Sequence, residues 1–358
     1  MSPVRQAATD SVERRPTCVS KQASRLRSTA MLVLATFAVL VPGGSAGLRA
    51  SGGEILFNSW ANGAPARWYV VKPDGSGLRQ VLLNVGLARM SPDGSKLAFG
   101  CSGRLLCVSN ADGSGQRVLA SPTNGDLFGS AGIDWSPDSR RIAFSSGQGV
   151  WTVGADGSQL RLVVRLSKMS ASVIRWSPRG RWIAFVRNLS GIGPGRQEVP
   201  GSLWVARANG SHLHRLARIG YEATPSWSPN ERAITYSTAL IKQFRPLVQV
   251  VYNVDLTSGR IKHLKRGSDP VYSPDGHTIV FDRLVEPYLF VIRMDADGAH
   301  QRRLARGFAP VWSPDGHNLA YATEKLMVMA RNGSRKRVVA PATDGDIARI
   351  APLQWVRS

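Results

Sequence analysis

The phrase Ser-Pro-Asp-Gly, in near copies, recurs six times along this 358-residue chain, and its interval constrains the fold more than any other feature. The copies are Met90-Ser-Pro-Asp-Gly94, Trp135-Ser-Pro-Asp-Ser139, Trp176-Ser-Pro-Arg-Gly180, Trp227-Ser-Pro-Asn-Glu231, Tyr272-Ser-Pro-Asp-Gly276 and Trp312-Ser-Pro-Asp-Gly316. Their serines are spaced 45, 41, 51, 45 and 40 residues apart. A period in the low forties is the length of a four-stranded propeller blade. The residue types specify a tight turn. Proline presets the first turn dihedral, Asp or Asn bonds back to the backbone, and Gly accepts positive φ. A short apolar strand follows each copy: Leu97-Ala-Phe99, Ile142-Ala-Phe144, Ile183-Ala-Phe185, Ile234-Thr-Tyr236, Ile279-Val-Phe281 and Leu319-Ala-Tyr321. Large–small–large is the pattern of a strand buried between stacked sheets.

A second turn recurs once per unit, at Pro73-Asp-Gly75, Ala111-Asp-Gly113, Ala155-Asp-Gly157, Ala208-Asn-Gly210, Asp255-Leu-Thr-Ser-Gly259, Ala296-Asp-Gly298 and Arg331-Asn-Gly333. Seven such turns stand against six Ser-Pro phrases. The unmatched turn belongs to a first unit whose apolar strand is Ile55-Leu-Phe57 and whose preceding strand is missing. Leu353-Gln354-Trp355 supplies it, with a tryptophan 43 residues after Trp312. A terminal strand that completes the first blade leaves no open edge there. The fold class is therefore all-β, a β-propeller of seven four-stranded blades closed by the C-terminal strand. Six blades is the alternative count.

These residues resemble the TolB-type, WD-like propeller family, whose repeat reads Trp-Ser-Pro-Asp-Gly, then Ile-Ala-Phe, then Asp-Gly before a basic outer strand. The likeness covers nearly all of residues 51–358. It implies a propeller and an envelope setting, and says little about a ligand.

The chain's beginning reads as an export signal. Residues 1–29 are polar and basic, and Ala30 to Val41 is a 12-residue apolar run broken only by Thr36. At about 1.5 Å per residue such a run is too short to span a bilayer as a helix, but it suits a signal-peptide core. Gly44 and Ala46 are the small residues of a cleavage site, so cleavage is expected after Ala46, with 1–50 a signal segment and 51–358 a single domain. An uncleaved N-terminal membrane anchor is the alternative. The expected location is extracytoplasmic: periplasmic, secreted or cell-surface. In that setting Cys101 and Cys107, six positions apart across a hairpin, are candidates for a disulfide. A two-residue turn would place Cys107 opposite Ala98 and out of reach; a five-residue loop would place the cysteines opposite each other.

Naming the strands of each blade a to d, the a–b and c–d turns share one end and the b–c and d–a loops the other. The first end is uniform. The second carries the length variation, and irregular loops on a rigid scaffold are where binding evolves. A partner is expected there, an envelope protein first, with Phe128, Arg196, Glu198, Tyr221 and Glu222 as candidate contacts. A basic residue after each second turn gives another reading: Arg79, Arg117, Arg161, Arg215, Lys262, Arg302 and Lys336 form a belt that would hold an anionic glycan or lipid surface. The net charge of +22 favours such attachment. The belt also fits plain edge protection. Export and the lack of a nucleic-acid motif argue against nucleic acid. No recognisable cluster of loop residues marks a catalytic site, so no catalytic residue is assigned. A propeller enzyme of glycan lyase or hydrolase type is the second alternative. His212 and His214 are two ligands without a third, and no metal or cofactor is expected. The primary reading is a non-enzymatic binding or scaffold propeller.

Overall fold

The structure, a computed structural model, describes residues 52–60, 66–101, 105–121, 132–146, 149–166, 169–189, 201–220, 223–240, 248–341 and 349–357. Twenty-eight strands are present among them, arranged as seven antiparallel sheets of four. Blade 1 pairs the C-terminal strand Arg349–Val356 with Glu54–Trp60, followed by Arg67–Val71 and Arg79–Leu83. Blades 2 to 7 occupy residues 88–120, 133–165, 169–218, 226–266, 268–306 and 308–340 in chain order. The seven-bladed count and the closure by the C-terminal strand therefore hold. That strand is longer than Leu353–Val356, starting at Arg349, and its register with Glu54–Trp60 shifts between Leu56 and Phe57.

Strand b of each blade is the core of its sheet. Phe57, Phe99, Phe144, Phe185, Tyr236, Phe281 and Tyr321 occupy one register position and are at most 2% exposed. Burying one such ring contributes about 1.5–3 kcal/mol. Each core is shared between neighbours: Leu56, Trp68 and Val70 of blade 1 pack with Met90, Leu97 and Phe99 of blade 2. The c–d turn glycine makes close packing feasible. At Gly113, with φ of 86°, an added Cβ would overlap the Val81 carbonyl oxygen of the preceding blade.

The motif serine and tryptophan have duties that composition does not reveal. Every Ser-Pro serine is buried, and its hydroxyl accepts the N–H five residues on, as Lys96 N to Ser91 Oγ at 3.0 Å and Asn318 N to Ser313 Oγ at 2.9 Å. The same hydroxyl donates to the motif carboxylate: Ser91 to Asp93 at 2.6 Å, Ser273 to Asp275 at 2.5 Å. The tryptophan stitches blade to blade. Indole N–H groups of Trp135, Trp227 and Trp312 donate to the carbonyls of Arg89, Arg175 and Val271 in the preceding blade, at 3.0, 3.2 and 3.3 Å.

Blade 4 departs from the motif, with Arg179 in place of the aspartate. The missing carboxylate comes from blade 5. Glu231, 7% exposed and held at φ of 60°, accepts the Arg179 N–H at 2.8 Å and pairs with Arg181 at 2.6 Å. Burial would raise its pKa, but hydrogen bonds from the Ser177 hydroxyl, the Arg179 N–H and the Arg181 guanidinium outweigh this and hold it below the usual carboxylate value.

Two outcomes are expected. Deleting residues 349–358 exposes the edge of Glu54–Trp60, so the melting temperature should fall and aggregation should rise; an unchanged melting curve would refute closure by this strand. Glu231→Ala should cost about 1–3 kcal/mol by orphaning buried donors. Combining Arg179→Asp with Glu231→Gly should recover most of it, which a double-mutant cycle in urea would read.

Candidate functional site

The residue before the motif aromatic on strand a, or before Met90 in blade 2, faces the central channel in every blade: Gln354, Arg89, Asp134, Arg175, Ser226, Val271 and Val311, from blade 1 to blade 7. This follows from the lining of the inner channel, a cavity of about 390 Å³ that also includes Thr224, Pro225, Asp269, Pro270, Ala309 and Pro310. Those six lie on the d–a side, so the cavity opens toward the variable end. A second recess of about 860 Å³, lined by Pro92, Pro137, Pro178, Pro274 and Pro314 of the Ser-Pro turns, forms the opposite mouth, and Gln354 borders both.

The channel has two unlike walls. At this strand position blades 1 to 5 present Gln354, Arg89, Asp134, Arg175 and Ser226, whereas blades 6 and 7 present Val271 and Val311, with Asp269 of blade 6 nearer the d–a side. The polar side chains also tie neighbouring blades together. Gln354 accepts from Met90 N at 2.9 Å and donates to Met90 O at 2.8 Å. Asp134 Oδ2 accepts from Trp176 N at 2.7 Å, and Ser226 Oγ from Tyr272 N at 3.2 Å. Burial, with the Arg175 charge adding to it, pushes the Arg89 guanidinium down to about 9 against the opposing pull of Asp134. Burial raises Asp134 in turn, opposed by Arg175 and Arg89. Arg89 is buried, while Asp134 and Arg175 are half-buried and keep contact with the lumen. One carboxylate between two guanidiniums leaves that wall net cationic.

Across the channel, Asp282 is 3% exposed and accepts the Ala309 N–H of blade 7 at 2.8 Å. Ser237 makes the matching contact one blade earlier, to Asp269 N at 3.2 Å. Burial, then the nearby Asp269 charge, raises the Asp282 carboxyl well above the ordinary range.

The variable end is described best at blade 6. Its b–c hairpin carries Leu284, Val285, Tyr288 and Leu289 at 57, 37, 42 and 37% exposure, around Glu286-Pro287. Arg306, where strand d ends on the same side, stacks over Tyr288 with its guanidinium carbon 3.4 Å from the ring centroid. The five contacts expected from sequence, Phe128, Arg196, Glu198, Tyr221 and Glu222, lie outside the described residues.

The belt acts between blades. Arg117 donates to the Ala155 carbonyl at 3.0 Å, Arg161 to Asn209 at 3.1 Å and Lys262 to Asp297 at 2.7 Å, each on the next blade's c–d turn. Arg79 pairs with Glu54 at 2.8 Å. The ladder corrects two members of the belt. Val205 faces His214 and Val328 faces Arg337, so those residues hold the belt position in blades 4 and 7, not Arg215 and Lys336. Arg337 donates to the Pro73 carbonyl at 2.7 Å and carries the clamp across the ring closure. Arg302 holds the same register position in blade 6.

His212 and His214 both sit edge-on to Trp182, at 6.2 and 6.3 Å. Among the described residues no group of three or more His, Cys, Asp or Glu could hold a metal. Cys101 and Cys107 are disulfide-bonded, with Cα atoms 5.8 Å apart. Neither loop expected from sequence applies. Cys101 faces Leu105 and Cys107 faces Phe99, so the cysteines lie diagonally on one face of the hairpin.

No family model matches the chain. A curated relative, a putative Tricorn-like protease C-terminal subunit from Sulfurisphaera tokodaii, is 22% identical over 205 residues, 57% of this chain. The chain aligns to only 20% of that relative's length. Among solved structures, the β-propeller domain of the Trilobed protease from Pyrococcus furiosus matches at a TM-score of 0.56 and 12% identity, covering 82% of this chain and 96% of that one. TolB from Acinetobacter baumannii matches at 0.50 and 14%, covering 82% and 79%. The tricorn protease matches at 0.56 and 10%, covering 84% of this chain and 36% of its own. These are likenesses of fold. The chain is a seven-bladed propeller whose structural neighbours are TolB-type and protease-associated propellers. The Pyrococcus domain has an open velcro topology, whereas here the C-terminal strand closes blade 1.

A pH measurement tests the Asp282 assignment. Its folded-state pKa exceeds the unfolded value, so the native state binds more protons between the two and stability falls as pH rises from about 4 through that window. Asp282→Asn keeps an acceptor for Ala309 and should flatten this decline, gaining stability over the wild type at neutral pH. Parallel melting-temperature curves against pH would refute it.

Proposed function

We propose that this protein is an exported, non-enzymatic binding propeller of the cell envelope that engages a partner through its b–c/d–a face. One observation carries the reading: the blade 6 hairpin exposes Leu284, Val285, Tyr288 and Leu289 together, beside Arg306. Aromatic and arginine side chains are enriched at interface hot spots, and a clustered apolar tip on a soluble scaffold marks an interaction site. The channel opens at the same end, with its cationic wall available to an acidic group of the partner. Export is supported by the apolar run from Ala30 to Val41 and by the Cys101–Cys107 bridge, since disulfides persist in oxidising compartments.

Attachment of the whole ring to an anionic surface is the rival reading. The clamp contacts count against a continuous belt, because Arg79, Arg117, Arg161, Lys262 and Arg337 already bond within the protein.

The test is capture from envelope extract at low and high salt. Leu284→Ser with Tyr288→Ala should reduce capture at least about tenfold at both salts, in line with hot-spot losses of about 2 kcal/mol each. Arg117→Gln should leave it unchanged. Loss confined to the Arg117 variant, or to high salt, would overturn the scaffold reading. Two reactive thiols at Cys101 and Cys107 in the exported, unreduced protein would overturn the compartment.

A further inference from the structure

The groove between blades 3 and 4, at the turn end and away from the proposed partner face, is a recess of about 330 Å³ lined by Arg141, Arg161, Arg181 and Arg207, with Thr152 and Asn209 among the other walls. We propose that it is an oxyanion site for a phosphate monoester.

The repeat supplies its own controls. Each inter-blade groove is built from four equivalent positions: the residue before the large–small–large strand and the belt residue of one blade, and the residue before strand b and the one opening the c–d turn of the next. Between blades 3 and 4 all four are arginine. Every other groove has a neutral or acidic residue in at least one of them. These are Glu54 between blades 1 and 2, Gly154 between 2 and 3, Asp255 between 4 and 5, Asp295 between 5 and 6, Thr278 between 6 and 7, and Asn318 between 7 and 1. Clamping one blade to the next takes one cation, as Arg117 and Lys262 show. Three further guanidiniums at one groove exceed that need.

The cluster is also positioned. Arg141 stacks over Trp176 at 5.0 Å, Arg207 over Trp182 at 4.8 Å, and Arg161 is fixed by its bond to the Asn209 carbonyl at 3.1 Å. Glu231 neutralises Arg181 from the side. Among the described residues no carboxylate lines the recess; Asp138, outside it, feels the Arg141 charge, and the charges of Arg161 and Arg207 add to that of Arg141 within it. Like charges brought together on a surface repel unless an anion joins them. A guanidinium has five N–H donors in a planar fork, and three of them outnumber what a single carboxylate can accept. A dianionic terminal phosphate, with three acceptor oxygens, matches the donor set. The volume, at the lower end of small-molecule sites, leaves room for a small ester group such as a sugar.

Isothermal titration at constant ionic strength tests this, with inorganic phosphate and glucose 6-phosphate as probes and acetate as the control anion. The wild type should bind phosphate saturably at one site and acetate at least about tenfold more weakly. Tighter binding of the sugar phosphate assigns an ester ligand; equal binding assigns the free oxyanion. Arg141→Gln with Arg207→Gln should weaken phosphate at least tenfold, and Arg302→Gln, a belt change outside the groove, should leave it unaltered. If the double variant does not fold, Arg161→Lys keeps the charge, loses the fork, and should still weaken binding. No saturable binding, acetate equal to phosphate, or a variant that binds like the wild type would overturn the site.

Discussion

A ring of sheets is stable only if its first and last blades meet without an open edge, and here that depends on one antiparallel pairing. The C-terminal strand Arg349–Val356 lies along Glu54–Trp60, so residues about 300 apart share one ladder. Gln354 then reaches blade 2 through Met90, and Arg337 reaches blade 1 through the Pro73 carbonyl. Every inward-facing residue on strand a holds its place because this circle is complete. The channel's polar and apolar walls are therefore a consequence of closure as much as of local sequence.

The blade architecture was legible because its signals are local. Proline, aspartate and glycine fix a turn through their own backbone chemistry, and the large–small–large strands name their own burial. The motif serine was harder to read, since a buried hydroxyl that both accepts and donates looks in sequence like an ordinary turn residue. The channel was not legible at all. Asp134, Arg175 and Gln354 are each one residue before a motif tryptophan, and Arg89 one before Met90 at the same place, but their convergence depends on ring geometry that no single repeat contains. The belt was half legible: its chemistry could be read, but not the register that replaces Arg215 and Lys336 with His214 and Arg337.

Charge in this protein is sorted by position in the blade. Turn aspartates are used up in backbone hydrogen bonds; Asp275 shows the balance, its burial opposed by the Ser273 hydroxyl, the His277 N–H and Arg331, which together hold it at about 2. Belt cations are largely committed to carbonyls of the next blade. What is left for recognition is small and asymmetric: a cationic channel wall, an arginine-lined groove and one apolar hairpin. A net charge of +22 thus overstates how much of the surface is a uniform positive field.

The loan of Glu231 from blade 5 to the turn of blade 4 bears on how such a chain can change over time. Tandem arrays grow and shrink by copying or losing whole units, and this is harmless where units are interchangeable. Blades 4 and 5 are not. A duplication that placed a copy with Gly or Ser at the Glu231 position after blade 4 would leave the Ser177 turn without its carboxylate, and loss of blade 5 alone would do the same. Arg179 and Glu231 therefore make two repeats one heritable unit, and mark a place in the ring where the number of blades can no longer drift freely.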